Sequence, residues 1–314
     1  MAIKEKNSLI TILGPTACGK TLLAVALAEK IDGEIISADS RQVYRGMTIG
    51  TGKDLDDYVI NGRKIPFHLI DIAEAGEEYN LFRFMSDFNN AYNEIVERKK
   101  VPIICGGTGM YIEAVLKNYL VPDVPVNEEF RSTLENKTDA ELITILESFK
   151  SLHNDTDTEN RRRLIRAIEI AHFSAEKKIS QETRFVGENF VFGVQMPRDV
   201  VRKRITERLY KRLNEGMIAE VQALLDSGVS ASRLIRYGLE YKYITQYLLK
   251  EYSYHEMVRL LNIAIHQFSK RQMTWFRGME RRGLEINWID GMLPLEEKIE
   301  QIQTFIAGSI ITSG

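Results

Sequence analysis

Gly14-Pro15-Thr16-Ala17-Cys18-Gly19-Lys20-Thr21 constrains this chain more than any other stretch. It fits G-x-x-x-x-G-K-[ST], and its flanks have the character that pattern requires. Ser8 to Leu13 (Ser-Leu-Ile-Thr-Ile-Leu) is a short apolar, partly β-branched run, and a helical pattern extends from Lys20 to Lys30. Strand, glycine turn and helix in that order make a phosphate-binding loop. The glycines let backbone N–H groups wrap phosphate oxygens, and the helix N-terminus adds its positive end. Lys20 brings a point charge to the terminal phosphates, and Thr21 offers a hydroxyl to Mg²⁺. A ligand carrying at least a diphosphate is therefore expected along Gly14, Pro15, Thr16, Ala17, Cys18, Gly19, Lys20 and Thr21, with Thr21 on the metal side.

Further strands alternate with helices. Glu34 to Ser37 ends in Ala38-Asp39-Ser40, and Val101 to Cys105 ends in Gly106-Gly107-Thr108-Gly109. The alternation predicts an α/β fold, a P-loop NTPase-like parallel sheet with helices on both faces and the site at the carboxyl ends of the strands. From Asn127 to about Lys178 the strand signals vanish and helical periodicity takes over, with Pro122 and Pro125 at the entry. Phe190 to Val194 reads as a strand again. Helical patterns follow over Asp199 to Asp226 and Tyr254 to Arg277, with a late strand near Glu285 to Ile289. The expected organisation is a core of residues 1–120 and 190–314 interrupted by a helical insertion, 121–189, with no internal repeat.

The formal charge of −2 argues at first against a nucleic-acid partner. The distribution reverses that. Residues 121–160 hold 3 basic and 10 acidic side chains, net −7, whereas residues 161–212 hold 14 basic and 6 acidic, net +8. The switch falls at Glu159-Asn160-Arg161-Arg162-Arg163. Cys18 and Cys105 have no Cys or His at metal-ligand spacing, so neither a disulfide framework nor a zinc site is expected. No stretch approaches the roughly 20 apolar residues of a membrane span, and the N-terminus lacks an apolar leader core, so a cytosolic, non-membrane protein is expected. Nothing indicates an oligomer, and a monomer is the simplest expectation.

A P-loop NTPase usually adds an acidic residue at the end of a second core strand to hold Mg²⁺. Here Val101 to Cys105 ends in Gly-Gly-Thr instead. Asp71, closing Phe67-His68-Leu69-Ile70-Asp71, is one candidate. Asp39 is the better one, because the strand it ends follows the P-loop helix and sets its own loop beside the phosphate site.

Six ordered stretches carry a family resemblance. The P-loop and Ile36-Ser37-Ala38-Asp39-Ser40-Arg41-Gln42-Val43-Tyr44-Arg45-Gly46-Met47-Thr48-Ile49-Gly50-Thr51 resemble the opening of the tRNA dimethylallyltransferases, also called tRNA isopentenyltransferases. His68-Leu69-Ile70-Asp71-Ile72, Gly106-Gly107-Thr108-Gly109-Met110-Tyr111, Arg162-Arg163-Leu164-Ile165-Arg166-Ala167 and Lys270-Arg271-Gln272-Met273-Thr274-Trp275-Phe276-Arg277 resemble that family's later motifs in the same order. Together they span about residues 8–280.

The resemblance implies transfer of a dimethylallyl group from its diphosphate to the exocyclic amine of the adenosine just 3′ of a tRNA anticodon. In that reading the P-loop grips the leaving diphosphate with Mg²⁺ as cofactor, Asp39 is the general base, and Thr108 lies close to both substrates. Arg208 or Arg204 adds charge at the diphosphate. Asp39, Ser40, Arg41 and Gln42 contact the extruded base, and Arg162, Arg163, Leu164, Ile165 and Arg166 contact the anticodon stem-loop. The arginines have a plainer alternative, pairing with the acidic stretch before them. Trp275 is expected to pack in the core rather than touch RNA.

Departures from the family pattern occur at Cys18, usually Ser, at His266, usually Arg, at Tyr237-Gly238-Leu239-Glu240-Tyr241 and at Gly50-Thr51-Gly52-Lys53-Asp54. Cys18 is a near-isostere within the loop and outside its Lys-Thr pair, and the other three bear on tRNA contacts. Rival readings are a prenyltransferase acting on free adenine nucleotides, a P-loop small-molecule kinase, and a non-catalytic tRNA-binding protein.

Overall fold

A computed structural model describes residues 8–119, 121–149, 160–176 and 187–312. The chain divides into two compact units, Met1–Asn118 with Phe185–Gly314, and Tyr119–Arg184. The large unit begins with β1 (Leu9–Leu13), α1 (Lys20–Ile31), β2 (Gly33–Ala38), a small hairpin of β3 (Val59–Ile60) and β4 (Arg63–Lys64), and β5 (Phe67–His68). It continues with α2 (Leu81–Glu97), β6 (Val101–Gly106) and α3 (Gly109–Leu116). The small unit holds α4 (Glu128–Glu135), α5 (Asp139–Phe149) and α6 (Arg161–Glu176). The large unit resumes with β7 (Asn189–Gln195), α7 (Arg198–Asn214), α8 (Met217–Asp226), α9 (Ala231–Tyr237), α10 (Leu239–Leu248), α11 (Tyr254–Arg281), β8 (Asn287–Asp290) and α12 (Leu295–Thr312).

The six-stranded sheet has the order β5-β2-β6-β1-β7-β8 and every pairing is parallel. All residues of β1, β2 and β6 are buried, as in a parallel sheet covered on both faces. The period of two divides them between two cores. Ile10, Ile12, Ile35, Ile103 and Phe192 pack with apolar residues of α1 and α12, while Leu9, Leu13, Ile36, Ile104 and Val191 pack with those of α2, α3 and α7 to α11.

Strand ends converge at one point. A side chain at Gly106 would run into the Ala38 backbone, so glycine there lets β6 and β2 close together, and the Thr108 N–H donates to the Ala38 carbonyl at 3.1 Å. The helical run expected over Asp199 to Asp226 is two helices, broken where Gly216 takes a left-handed φ of 100°. The late strand lies at Asn287–Asp290, slightly beyond its expected place, and α9 and α10 were not foreseen.

In the small unit Leu134, Leu142, Leu146, Leu164, Ala167 and Ile168 form a separate core. Above it the buried Glu169 carboxylate accepts from Arg131 (2.9 Å), from the Asn127 N–H (2.7 Å) and from Arg166. Burial alone would raise the pKa of Glu169, but these donors hold it below the ordinary carboxylate value. No helix among the described residues is long and apolar enough to cross a membrane.

Candidate active site

The loops after β1, β2 and β6 open into a cleft of about 620 Å³, closed on its far side by residues of α7, α10 and α11. Its floor is the phosphate loop, where Ala17 (φ 66°) and Gly19 (φ 83°) take left-handed conformations, the kind of backbone that builds anion-binding concavities. Lys20 reaches back to the Pro15 carbonyl at 3.3 Å. Thr16, Ala17, Gly19, Lys20 and Thr21 line the cleft, whereas Gly14, Pro15 and Cys18 are buried. Cys18 supports the loop from beneath, its sulfur filling the space a side chain at Gly14 would need.

Asp39 follows β2 on the adjoining wall. Its Oδ1 accepts the Arg41 N–H at 2.9 Å, an Asx turn that orients the carboxylate, and among the described residues it has no ion-pair partner. Thr108 comes from the β6 end, where its Oγ1 accepts the Ser40 N–H at 3.1 Å. Gln42 is held at both ends, accepting from the Ser37 hydroxyl (3.1 Å) and donating to the Gly52 carbonyl (3.2 Å).

The loop from Met47 to Asp54 makes the next wall. Glu220 of α8 accepts three successive backbone N–H groups, from Thr48 (2.8 Å), Ile49 (2.7 Å) and Gly50 (3.0 Å), and the Tyr241 hydroxyl at 2.7 Å. The Tyr241 ring and the Arg212 guanidinium occupy the places where Gly50 and Gly52 would carry side chains. Arg212 is buried and lies 3.3 Å from Asp54.

The cleft gathers cations. Arg208 donates to the Thr16 hydroxyl, and its burial, with Arg212 nearby, lowers its pKa to about 10, so it remains charged at neutral pH but poorly solvated. Burial pushes the Glu240 carboxyl up, against the pull of Arg212 and Arg208, and pushes the Cys105 thiol up to about 12. Cys105 is thus no nucleophile at neutral pH.

The rim is apolar and aromatic. Leu22, Met110, Phe268 and Trp275 are each two-fifths to half exposed, and Phe268, Arg271 and Trp275 share one face of α11. The absence of a side chain at Gly109 makes room for the Trp275 ring. Trp275 therefore stands at the cleft mouth, not in the core as the sequence suggested.

Other expectations are corrected. Arg204 points to the Met196 sulfur and does not line the cleft, so of the two it is Arg208 that meets the loop, at Thr16. Asp71 is paired with the buried Lys53 instead of facing the loop. In the small unit Arg162 and Arg163 are exposed, Ile165 is half-buried, and Leu164 is fully buried in the core, so the Leu164 side chain is not presented for contact. Arg166 is held by Glu169 and the Val124 carbonyl, and Arg161 by Asp139, the latter within the acidic stretch.

Among the described residues no cluster of three or more His, Cys, Asp or Glu is arranged to hold a metal by itself. The cleft nevertheless fits Mg²⁺, which keeps most of its waters and is commonly held by one protein oxygen and substrate phosphates. Thr21 supplies such an oxygen beside Lys20.

Gln272, Arg212, Glu220 and Glu240 were missed as site residues by sequence reasoning. Gln272 lay inside a recognised motif and Glu240 inside a recognised departure, but Arg212 and Glu220 sit in helices with no motif.

Comparison with known proteins decides the family. Residues 42–279 match the model described as IPP transferase, and residues 7–72 match the model for isopentenyl transferase. The chain belongs to the IPP transferase family. A tRNA dimethylallyltransferase 2 from Phocaeicola vulgatus is 55% identical over 298 residues, covering 95% of this chain and 97% of the relative. A tRNA dimethylallyltransferase 1 from Parabacteroides distasonis is 57% identical over 295 residues, covering 94% and 96%. Among solved structures, the full-length tRNA isopentenylpyrophosphate transferase from Bacillus halodurans aligns with a TM-score of 0.70 at 33% identity, covering 96% of each chain. A eukaryotic dimethylallyltransferase acting on tRNA shares the fold, with a TM-score of 0.77 at 20% identity over 98% of this chain and 80% of that one. The chain thus has the P-loop NTPase-like architecture its opening motif implied.

Proposed function

We propose that this chain transfers a dimethylallyl group from dimethylallyl diphosphate to the exocyclic amine of the adenosine 3′ of a tRNA anticodon, releasing diphosphate. The observation that carries this is the Asp39 carboxylate, oriented by its turn and without an ion-pair partner among the described residues, in one cleft with the phosphate loop and Thr108.

The amine nitrogen attacks the allylic carbon as the carbon–oxygen bond to diphosphate breaks, and the proton lost from nitrogen goes to Asp39. The loop N–H groups, Lys20 and Arg208 neutralise charge that builds on the leaving diphosphate. Mg²⁺, held by Thr21 and diphosphate oxygens, would supply further charge neutralisation there. Ser40, Arg41 and Gln42 would border the adenine, and the aromatic rim with Arg271 suits an unstacked loop nucleotide, since aromatic rings stack on any base. Arg162 and Arg163 would contact RNA phosphates from the helical unit.

Incubation with unmodified tRNA, Mg²⁺ and dimethylallyl diphosphate, followed by mass spectrometry of the digested nucleosides, tests the reading. The expected product is an adenosine carrying one dimethylallyl group. Modification of free adenine nucleotides but not of tRNA, or phosphorylation of a small acceptor at the expense of ATP, would overturn it.

A further inference from the structure

We propose that Gln272 is a positioning residue that holds the diphosphate loop and the Thr108 turn in register. It lies on α11, 256 and 165 positions from the two residues it joins. Its Oε1 accepts the Thr16 N–H at 2.8 Å and its Nε2 donates to the Gly107 carbonyl at 2.9 Å. The side chain is buried, and its Nε2 occupies the place a side chain at Gly107 would need. One partner offers only a donor and the other only an acceptor, so a single amide orientation satisfies both.

Both partners belong to catalytic turns. Thr16 also receives Arg208 through its hydroxyl, and Gly107 immediately precedes Thr108, whose Oγ1 takes the Ser40 N–H beside Asp39. A continuous set of bonds therefore runs from the phosphate end of the cleft through Gln272 to the carboxylate end. Two consequences follow. The Thr16 N–H is turned away from the phosphates, which leaves the grip to the later loop amides and Lys20. The separation between the leaving oxygen and the accepting base is fixed by the amide, and displacements of about 1 Å in such a geometry can cost about 100-fold in rate.

The proposal rests on the transferase reading, so its test has one arm independent of it. Gln272→Met keeps length and volume but forms neither bond. Gln272→Asn keeps the amide but is one methylene too short to span both partners. Gln272→Glu keeps an acceptor for Thr16 but directs a charge at the loop. For each, kcat and KM for dimethylallyl diphosphate are measured with an anticodon stem-loop, alongside the Kd values for inorganic pyrophosphate with Mg²⁺ and for the stem-loop, and the Tm.

For the Met and Asn variants the expected result is a kcat lowered about tenfold or more, pyrophosphate affinity lowered severalfold and stem-loop affinity within about twofold. The Glu variant should lose more pyrophosphate affinity than Met at a similar Tm, because the carboxylate repels the ligand. Wild-type constants in Met or Asn, or losses that affect stem-loop and pyrophosphate equally and track the unfolded fraction, would overturn the positioning role. If wild-type enzyme binds pyrophosphate but transfers nothing to RNA, the transferase reading fails while the pyrophosphate arm still judges Gln272.

Discussion

Thr108 and Ser40 lie 68 positions apart and meet at the ends of neighbouring strands, where the Thr108 Oγ1 accepts the Ser40 N–H at 3.1 Å. The bond fastens the turn that carries Asp39 to the glycine turn after β6. Thr108→Val removes the acceptor at nearly constant volume and should lower kcat about tenfold or more, while Thr108→Ser should recover most of it. Steady-state kinetics of the two variants decide the point; equal rates for Val and Ser would dissociate the bond from catalysis.

Asp39→Asn separates the two duties of that side chain. Asparagine keeps the oxygen that accepts the Arg41 N–H, so the turn survives, but it is not a base at neutral pH. Transfer should fall by about 10² to 10⁴, the usual worth of general-base catalysis, with stem-loop affinity nearly unchanged. A variant retaining a tenth of the wild-type rate would remove Asp39 from the proton transfer.

Arg208 is expected to show a trade between stability and function. Its folded pKa, about 10, lies below the ordinary arginine value, so the unfolded chain binds the proton more tightly. This group therefore opposes folding below pH 10, and its contribution becomes less unfavourable as pH rises from about 10 toward the ordinary arginine value. Arg208→Met should raise the Tm of the unliganded protein at pH 8 while raising KM for the diphosphate donor. A lowered Tm together with an unchanged KM would contradict both halves.

Glu220 anchors three backbone N–H groups and the Tyr241 hydroxyl. Glu220→Ala leaves the 48–50 loop without its acceptor and should cost about 2–3 kcal/mol by urea unfolding. A change below about 0.5 kcal/mol would mean the loop finds other partners.

In the helical unit, Glu169 has its pKa lowered by Arg131, the Asn127 N–H and Arg166 against the effect of burial. Its stabilisation is complete above the ordinary carboxylate pKa of 4.5 and is lost as pH falls through the lower folded value. Glu169→Gln should therefore destabilise the unit at pH 7 and flatten its acid transition, readable by hydrogen exchange of α4 and α6. Arg162→Ala, at an exposed position, should instead leave that stability intact, weaken stem-loop binding and shallow its salt dependence.

The sequence by itself determined the local chemistry of this protein. The order apolar run, glycine turn, Lys-Thr and helix needs only neighbours in the chain, so the strand–loop–helix opening and the parallel α/β class were legible, as was Asp39 at a strand end. Tertiary structure alone decided what meets that loop. Gln272 reaches Thr16 across 256 positions, Arg208 and not Arg204 reaches the loop, and Lys53 pairs with Asp71. Leu164 turns inward and Trp275 outward for the same reason: one face of a helix is buried only against whatever packs there. Spacing along a chain fixes which residues share a face, but which face is covered, and which distant amide satisfies a buried N–H, depends on contacts that exist only after the strands have ordered.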